Sequence, residues 1–276
     1  MISTVSALVR SMHAGPSVAV TTISTILAIG IGLEPWRVAL IAVVILTGQA
    51  SVGISNDWLD AARDREVGRT DKPVATGELP TRTAGAAAVS FAIASVLLSI
   101  PLGIPALLAG LVFLASGWVY NLGLKSTLFS ALPYIVGFGS LPLVVTLARP
   151  EPSLAAWWVV LAGALLGLAA HFANVVPDIE DDHATGVVGL PQLIGVRGSG
   201  VVVAIALSGA AVSLVAGPGD PQPLRVAGLV IALALAAACV LTILLRPASR
   251  WSFRLTMVAA IVAVVLLVSS GSGVLA

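Results

Sequence analysis

Nine stretches of roughly 18 to 25 mostly apolar residues follow one another along this chain, at 16–34, 37–57, 83–101, 104–121, 127–148, 153–177, 199–217, 223–245 and 254–273. About 20 apolar residues in a helix cross the roughly 30 Å of bilayer hydrocarbon, where backbone groups must bond within their own segment. The fold class expected is therefore all-α: a polytopic membrane protein of nine transmembrane helices. Gly/Pro-bearing connections such as "SIPLGIP", "ARPEPS" and "GPGDPQP" separate the stretches, and no segment is left for a soluble domain. Residues 1–276 read as one transmembrane domain. The first stretch has full span length and similar spans follow, so a cleavable signal is not expected.

Charge supports the same class and adds an orientation. Only 10% of residues are charged and 58% are hydrophobic, well away from soluble composition. With the N-terminus inside, eleven of the fourteen Lys and Arg residues fall on inner segments; Arg37, Arg149 and Arg225 fall outside. This bias predicts a cytoplasmic N-terminus and cytoplasmic acidic loops, in an integral protein of the bacterial plasma membrane. The net charge of +1 and the lack of a basic run give no reason to expect nucleic acid. Cys239 is the single cysteine, which excludes an intramolecular disulfide and a Cys-based metal site.

Ten of the thirteen acids crowd into two of the inner loops. One loop follows the second stretch, "NDWLDAARDREVGRTDKP" (56–73), and the other the sixth, "NVVPDIEDDHATG" (174–186). Both carry N-x3-D-x3-D: Asn56, Asp60, Asp64 and Asn174, Asp178, Asp182. Positions i, i+4 and i+8 share a helix face, so each station presents an amide and two carboxylates as a stripe. Asp57 and Asp181 stand one residue to the side. Like charges so placed repel unless something compensates them. A hard divalent cation would: Mg2+ takes oxygen ligands and is often completed by a substrate's phosphate oxygens. Two such stations facing one cavity would hold two Mg2+ ions with a diphosphate between them. Carboxylates paired with Arg63, Arg65 and Arg69 are the plainer alternative.

Other residues bear on the same chemistry. "YNLGLKS" places Tyr120 and Lys125 at the inner end of the fourth stretch, where a lysine can grip a diphosphate oxygen. Arg69 and Lys72 could neutralise phosphate charge. Arg10 and His13 in "VRSMHAGP", and His171 one turn before Asn174, are candidates to contact an acceptor or take a proton.

"NDWLDAARD", "RTDKPVATGELP", "YNLGLK" and "PDIEDDHATGVVGLPQLIG" together resemble the UbiA superfamily of intramembrane prenyltransferases, over essentially the whole chain. The resemblance implies a helical bundle around a central cavity that binds Mg2+ and an isoprenyl diphosphate. It places Asn56, Asp60 and Asp64 at one Mg2+ and Asp178 with Asp181 or Asp182 at the other. Asp57 matches the remaining acid of the first signature, Lys125 a diphosphate-binding lysine and Tyr120 the tyrosine before it. Lys72 stands where many members have Arg, which weakens a bidentate phosphate contact. The activity implied is transfer of a prenyl group to a small aromatic, quinone-precursor or lipid acceptor. A long prenyl tail could reach lipid through a gap between helices where small residues such as Gly163 and Gly167 allow close approach, although that G-x-x-x-G is common in membrane helices and by itself mostly means packing. A terpene cyclase and a phosphoribosyl transferase acting on a polyprenyl phosphate share the motifs. Aromatic residues at 5% leave few ring faces to steer a cyclising cation, which favours the transferase. A carrier would place its acids near the membrane midplane; here they stand at span ends.

Overall fold

The computed structural model describes residues 4–217, 223–269 and 273–275. Twelve α-helices are present among the described residues: α1 Thr4–Ser11, α2 Ala14–Gly30, α3 Pro35–Leu59, α4 Ala61–Glu66, α5 Thr81–Ser99, α6 Ile104–Asn121, α7 Leu132–Thr146, α8 Trp157–Val175, α9 Ile179–Ala184, α10 Leu190–Ala216, α11 Pro223–Leu245 and α12 Trp251–Ser269. Every apolar stretch of the sequence holds one of the longer helices. The count of spans is less simple than nine. Seven of these helices are long and apolar enough to cross a bilayer, and an eighth arises if the pair α1–α2, bent by 63°, is one span. Helix α7, at 15 residues, is too short for a full crossing. With long apolar helices throughout, the chain is an integral membrane protein.

Local chemistry explains several boundaries. Proline in the first turn starts α3, α6 and α7, where its missing N–H and fixed φ fit. The tight α5–α6 connection turns at Gly103, whose φ of 100° an L side chain rarely adopts. His13 takes a left-handed φ of 51° between α1 and α2 and breaks the first helical segment, which the sequence pattern did not reveal. Helix α10 begins at Leu190, well before the expected 199, and kinks at Gly195.

The helices form two shells. Helices α2, α3, α6, α7, α8 and α12 pack in sequence around a central cavity, and each contributes residues to its wall. Helix α5 packs outside α3, while α10 and α11 lie outside α8 and α12. Large apolar side chains such as Ile205, Val230 and Leu244 stay exposed on this outer shell, as lipid contact requires. Small polar residues link helices through backbone carbonyls: Ser51 Oγ donates to Ala88 O at 2.7 Å, and Ser95 Oγ to Val44 O at 2.9 Å. In membranes such bonds supplement close packing of small residues.

Gly163 and Gly167 belong to that packing. A Cβ on Gly167 would stand 2.4 Å from the Tyr134 carbonyl oxygen, and one on Gly163 2.5 Å from the Phe138 oxygen. The two glycines therefore seat α8 directly against the backbone of α7 at these two positions. Gly167→Ala is expected to force α7 and α8 apart and lower the melting temperature in detergent by several degrees, because the opposing atoms are backbone and cannot turn aside. An unchanged melting temperature would show that the contact is not this tight.

Candidate active site

Both acidic stations stand at the same end of the bundle and line the mouth of one cavity of about 450 Å3. The first station survives a helix break. Helix α3 stops at Leu59 and α4 starts at Ala61, yet Asp60 N–H bonds Asn56 O at 3.0 Å and Asp64 N–H bonds Asp60 O at 2.8 Å. The i, i+4 advance thus continues through the break, and Asn56, Asp60 and Asp64 share the cavity wall. In the second station Pro177 has no N–H, and the chain tightens into a 3₁₀ turn over Val176–Asp178 before α9. Asn174, Asp178, Asp181 and Asp182 nonetheless all face the cavity.

The compensation demanded by the sequence is visible as cations. Lys125 contacts Asp60 Oδ1 directly. Arg63 Nη2 lies 3.1 Å from Asp60 Oδ2, and its Nη1 lies 3.8 Å from Asp182 Oδ1, so one guanidinium joins the two stations. Lys72 Nζ stands 2.8 Å from Asp64 and 3.4 Å from Asp57, and donates to Asn56 Oδ1 at 3.2 Å. Asp178 Oδ1 accepts from Arg250 Nη2 at 2.7 Å and has Arg69 Nη1 at 3.5 Å. Gln192 Nε2 donates to Asp182 Oδ2 at 2.7 Å. Arg65 turns elsewhere, towards Val74 O and Thr81 Oγ1, both at 3.4 Å.

Two groups outside the spans show the field at the mouth. Burial pushes the Lys125 ammonium pKa down, while the adjoining Asp60 carboxylate pulls it back up. The Arg69 fork, bonded to both Asp71 oxygens at 2.8 Å, holds the Asp71 carboxyl at about 2.

Among the described residues no three Asp, Glu, His or Cys side chains converge as a preformed metal cluster. The carboxylates are instead spaced by the basic side chains. The donor set still fits a hard divalent cation: it consists of carboxylate and amide oxygens, drawn from two stations that open on one cavity.

The other sequence candidates divide by position. His13, Arg69, Lys72, Lys125 and Tyr120 line the cavity. Asp57 stands behind the wall, 2% exposed, bonded by His13 Nε2 at 3.1 Å and paired with Lys72. His171 is buried behind the wall, sharing a hydrogen bond with Ser130 Oγ at 3.1 Å and packed against the Tyr120 and Tyr134 rings. Arg10 sits outside the cavity in an ion pair with Glu78.

Several residues enter the site unannounced. Asn121 donates to Val52 O at 2.9 Å and Ser55 Oγ at 2.8 Å, and its Oδ1 accepts from Asn56 Nδ2 at 3.3 Å, fixing the amide of the first station. Asn121 and Gln192 stood inside motifs read from the sequence but carried no distinctive spacing. Arg250 gave no signal at all, being 72 residues from its partner Asp178. The aromatic content also misled. Both tyrosines and three of the six phenylalanines, Phe113, Phe138 and Phe253, line this one cavity. Tyr134 stacks on Phe138 with centroids 6.0 Å apart, and Tyr120 meets Tyr134 edge-on at 5.2 Å. Ring faces are scarce in the chain and concentrated in the site.

Known proteins are similar to this chain in sequence and in fold. A protoheme IX farnesyltransferase of Halobacterium salinarum is 31% identical over 166 residues, covering 57% of this chain and 37% of the relative. The bacteriochlorophyll synthase 33 kDa chain of Rhodobacter capsulatus is 26% identical over 171 residues, covering 55% of this chain and 54% of the relative. The chain thus spans about a third to a half of the length of these curated relatives. A UbiA homolog from Archaeoglobus fulgidus, solved with GPP and Mg2+, superposes with a TM-score of 0.74 over 95% of this chain and 99% of that one, at 14% identity, which shows the fold. The model of the UbiA prenyltransferase family matches residues 17–266, nearly all of the helical bundle, and the chain belongs to that family.

Proposed function

We propose that this protein is a Mg2+-dependent intramembrane prenyltransferase that ionises an isoprenyl diphosphate and transfers the prenyl group to an aromatic or quinone-precursor acceptor. The observation that carries the reading is the division of one cavity: carboxylates and basic side chains at the mouth, apolar and aromatic side chains beneath. A diphosphate suits the first zone and an isoprenoid tail the second. The relatives named as a farnesyltransferase and a bacteriochlorophyll synthase, and the homolog solved with GPP and Mg2+, support the same class. The basic-residue bias supports a cytoplasmic mouth.

Asn56, Asp60 and Asp64 would hold one Mg2+, and Asp178 with Asp181 or Asp182 a second. When bound, the metal neutralises charge on the diphosphate as a Lewis acid. Lys125, Lys72 and Arg69 meet the diphosphate oxygens and stabilise the negative charge that grows as the allylic C–O bond breaks and its electron pair leaves with the diphosphate. Beneath the mouth, Val20, Ile23 and Phe138 exclude water from the allylic cation. The faces of Tyr120, Tyr134 and Phe138 stabilise that cation until the acceptor's electron pair closes the new bond, and the acceptor then gives up the displaced proton to solvent at the mouth.

One observation favours a second reading. The same aromatic wall suits a cyclase, in which the substrate's own double bonds quench the cation. Purified protein incubated with Mg2+ and isoprenyl diphosphates of several lengths, with and without phenolic acceptors, separates the two by product mass. The transferase yields a prenylated acceptor and releases little diphosphate without it. Acceptor-free release with a cyclic hydrocarbon would establish the cyclase instead. EDTA is expected to stop either reaction and added Mg2+ to restore it; full turnover in EDTA would defeat the metal assignment.

A further inference from the structure

Leu166 lines two cavities at once. It closes part of the central cavity and also forms part of the wall of a second, apolar space of about 40 Å3 between α8, α10, α11 and α12. On α8, Leu166, Ala170 and Asn174 follow at i, i+4 and i+8 and all face the central cavity, so Leu166 lies about 12 Å deeper than the acidic mouth. It packs against the apolar clusters on both sides of this boundary. On α12 the wall passes from Ala260, which faces the central cavity, to Ala263 and Leu266, which face the second. Beyond them Arg225 lines the second space near the start of α11, at the end of the bundle away from the mouth.

We infer that Leu166 is the stop that sets how long an isoprenyl chain the cavity accepts, and that the space behind it is a latent subsite for one further isoprene unit. The inference rests on the prenyl diphosphate reading of the central cavity. A chain anchored by its diphosphate at the mouth runs down the apolar wall and ends against the Leu166 side chain. Removing the Leu166 isobutyl group joins the two spaces and makes room for about one more five-carbon unit. The charged Arg225 then bounds the channel, so the gain is one unit and no more.

The test is competition binding of non-ionising isoprenyl thiolodiphosphates of increasing length to the full chain in detergent with Mg2+, alongside turnover of the matching diphosphates. Leu166→Ala is expected to shift the preferred length up by one isoprene unit, raising affinity for that longer chain about tenfold relative to the wild-type optimum, as burial of a few extra methylenes does. Leu166→Phe is expected to shorten it. Ala232→Leu, which fills the second space from α11, should cancel the gain when combined with Leu166→Ala, whereas a general loosening of the bundle would persist. If Leu166→Ala melts too early to assay, the Leu166→Phe profile decides alone. An unchanged length profile in either folded variant, or no reversal by Ala232→Leu, overturns the inference. Wild-type protein that binds no chain of any length overturns the prenyl diphosphate reading and this inference with it.

Discussion

Asp60→Ala is expected to lower kcat/KM by at least a thousandfold while the protein stays folded in detergent. Asp60 is the point where three groups meet: Lys125 and Arg63 pair with it, and Asn56 Nδ2 donates to it at 3.1 Å. Losing the carboxylate removes a metal candidate and leaves Lys125, which is 11% exposed at its side chain, without its counter-charge. The sign of the Lys125 shift compounds the damage. Burial already lowers its pKa and Asp60 opposes that, so the variant lowers it further and weakens the cation proposed to meet the diphosphate. Removing one oriented electrostatic group in an active site commonly costs about a hundred- to a thousandfold, and the loss of metal affinity adds to it. Asp178→Ala should behave alike from the other station, since it removes a second metal candidate and takes from Arg250 its carboxylate partner. Turnover within tenfold of wild type in either variant would refute the proposal that both stations act on one diphosphate.

Lys72→Ala is expected to act on stability before chemistry. Its ammonium lies between Asp57 and Asp64, whose side chains are each 2% exposed. Breaking a buried ion pair by removing one partner costs about 3–5 kcal/mol, because the remaining charge keeps its desolvation penalty without its attraction. That corresponds to a fall of roughly 10 °C in melting temperature. Asp57→Asn in the Lys72→Ala background should recover part of the loss, since it removes one of the two buried carboxylates that lost the ammonium. Asp57 stands behind the cavity wall and is held by His13 from the other side, so the rescue should appear in melting temperature more than in turnover. A Lys72→Ala protein as stable as wild type would mean that Mg2+ or solvent already screens these carboxylates.

Legibility followed the range of the interactions. Helical class, the approximate places of the helices and the identity of both acidic stations are local facts. A run of apolar residues must satisfy its backbone within itself, and N-x3-D-x3-D fixes one face of a turn, so Asn56, Asp60 and Asp64 could be named from spacing alone. Boundaries set by single backbone conformations were less visible. The left-handed His13 and the 3₁₀ turn at Pro177 leave little trace in a periodicity. The short α7 was read as a full span because hydropathy continues past its ends.

By itself the sequence determined which groups carry charge, that they stand at helix ends, and that helices surround them. Only the tertiary structure decided which cation meets which carboxylate. Arg250 reaches Asp178, Arg63 ties Asp60 to Asp182, and Asp57 and His171 turn away from the cavity they were expected to serve. It also decided that scattered aromatic residues share one wall, since side chains on α6, α7 and α12 meet only when those helices pack around a common axis. The reason is that pairing energies depend on distance and burial, and both are fixed by helix packing rather than by order along the chain.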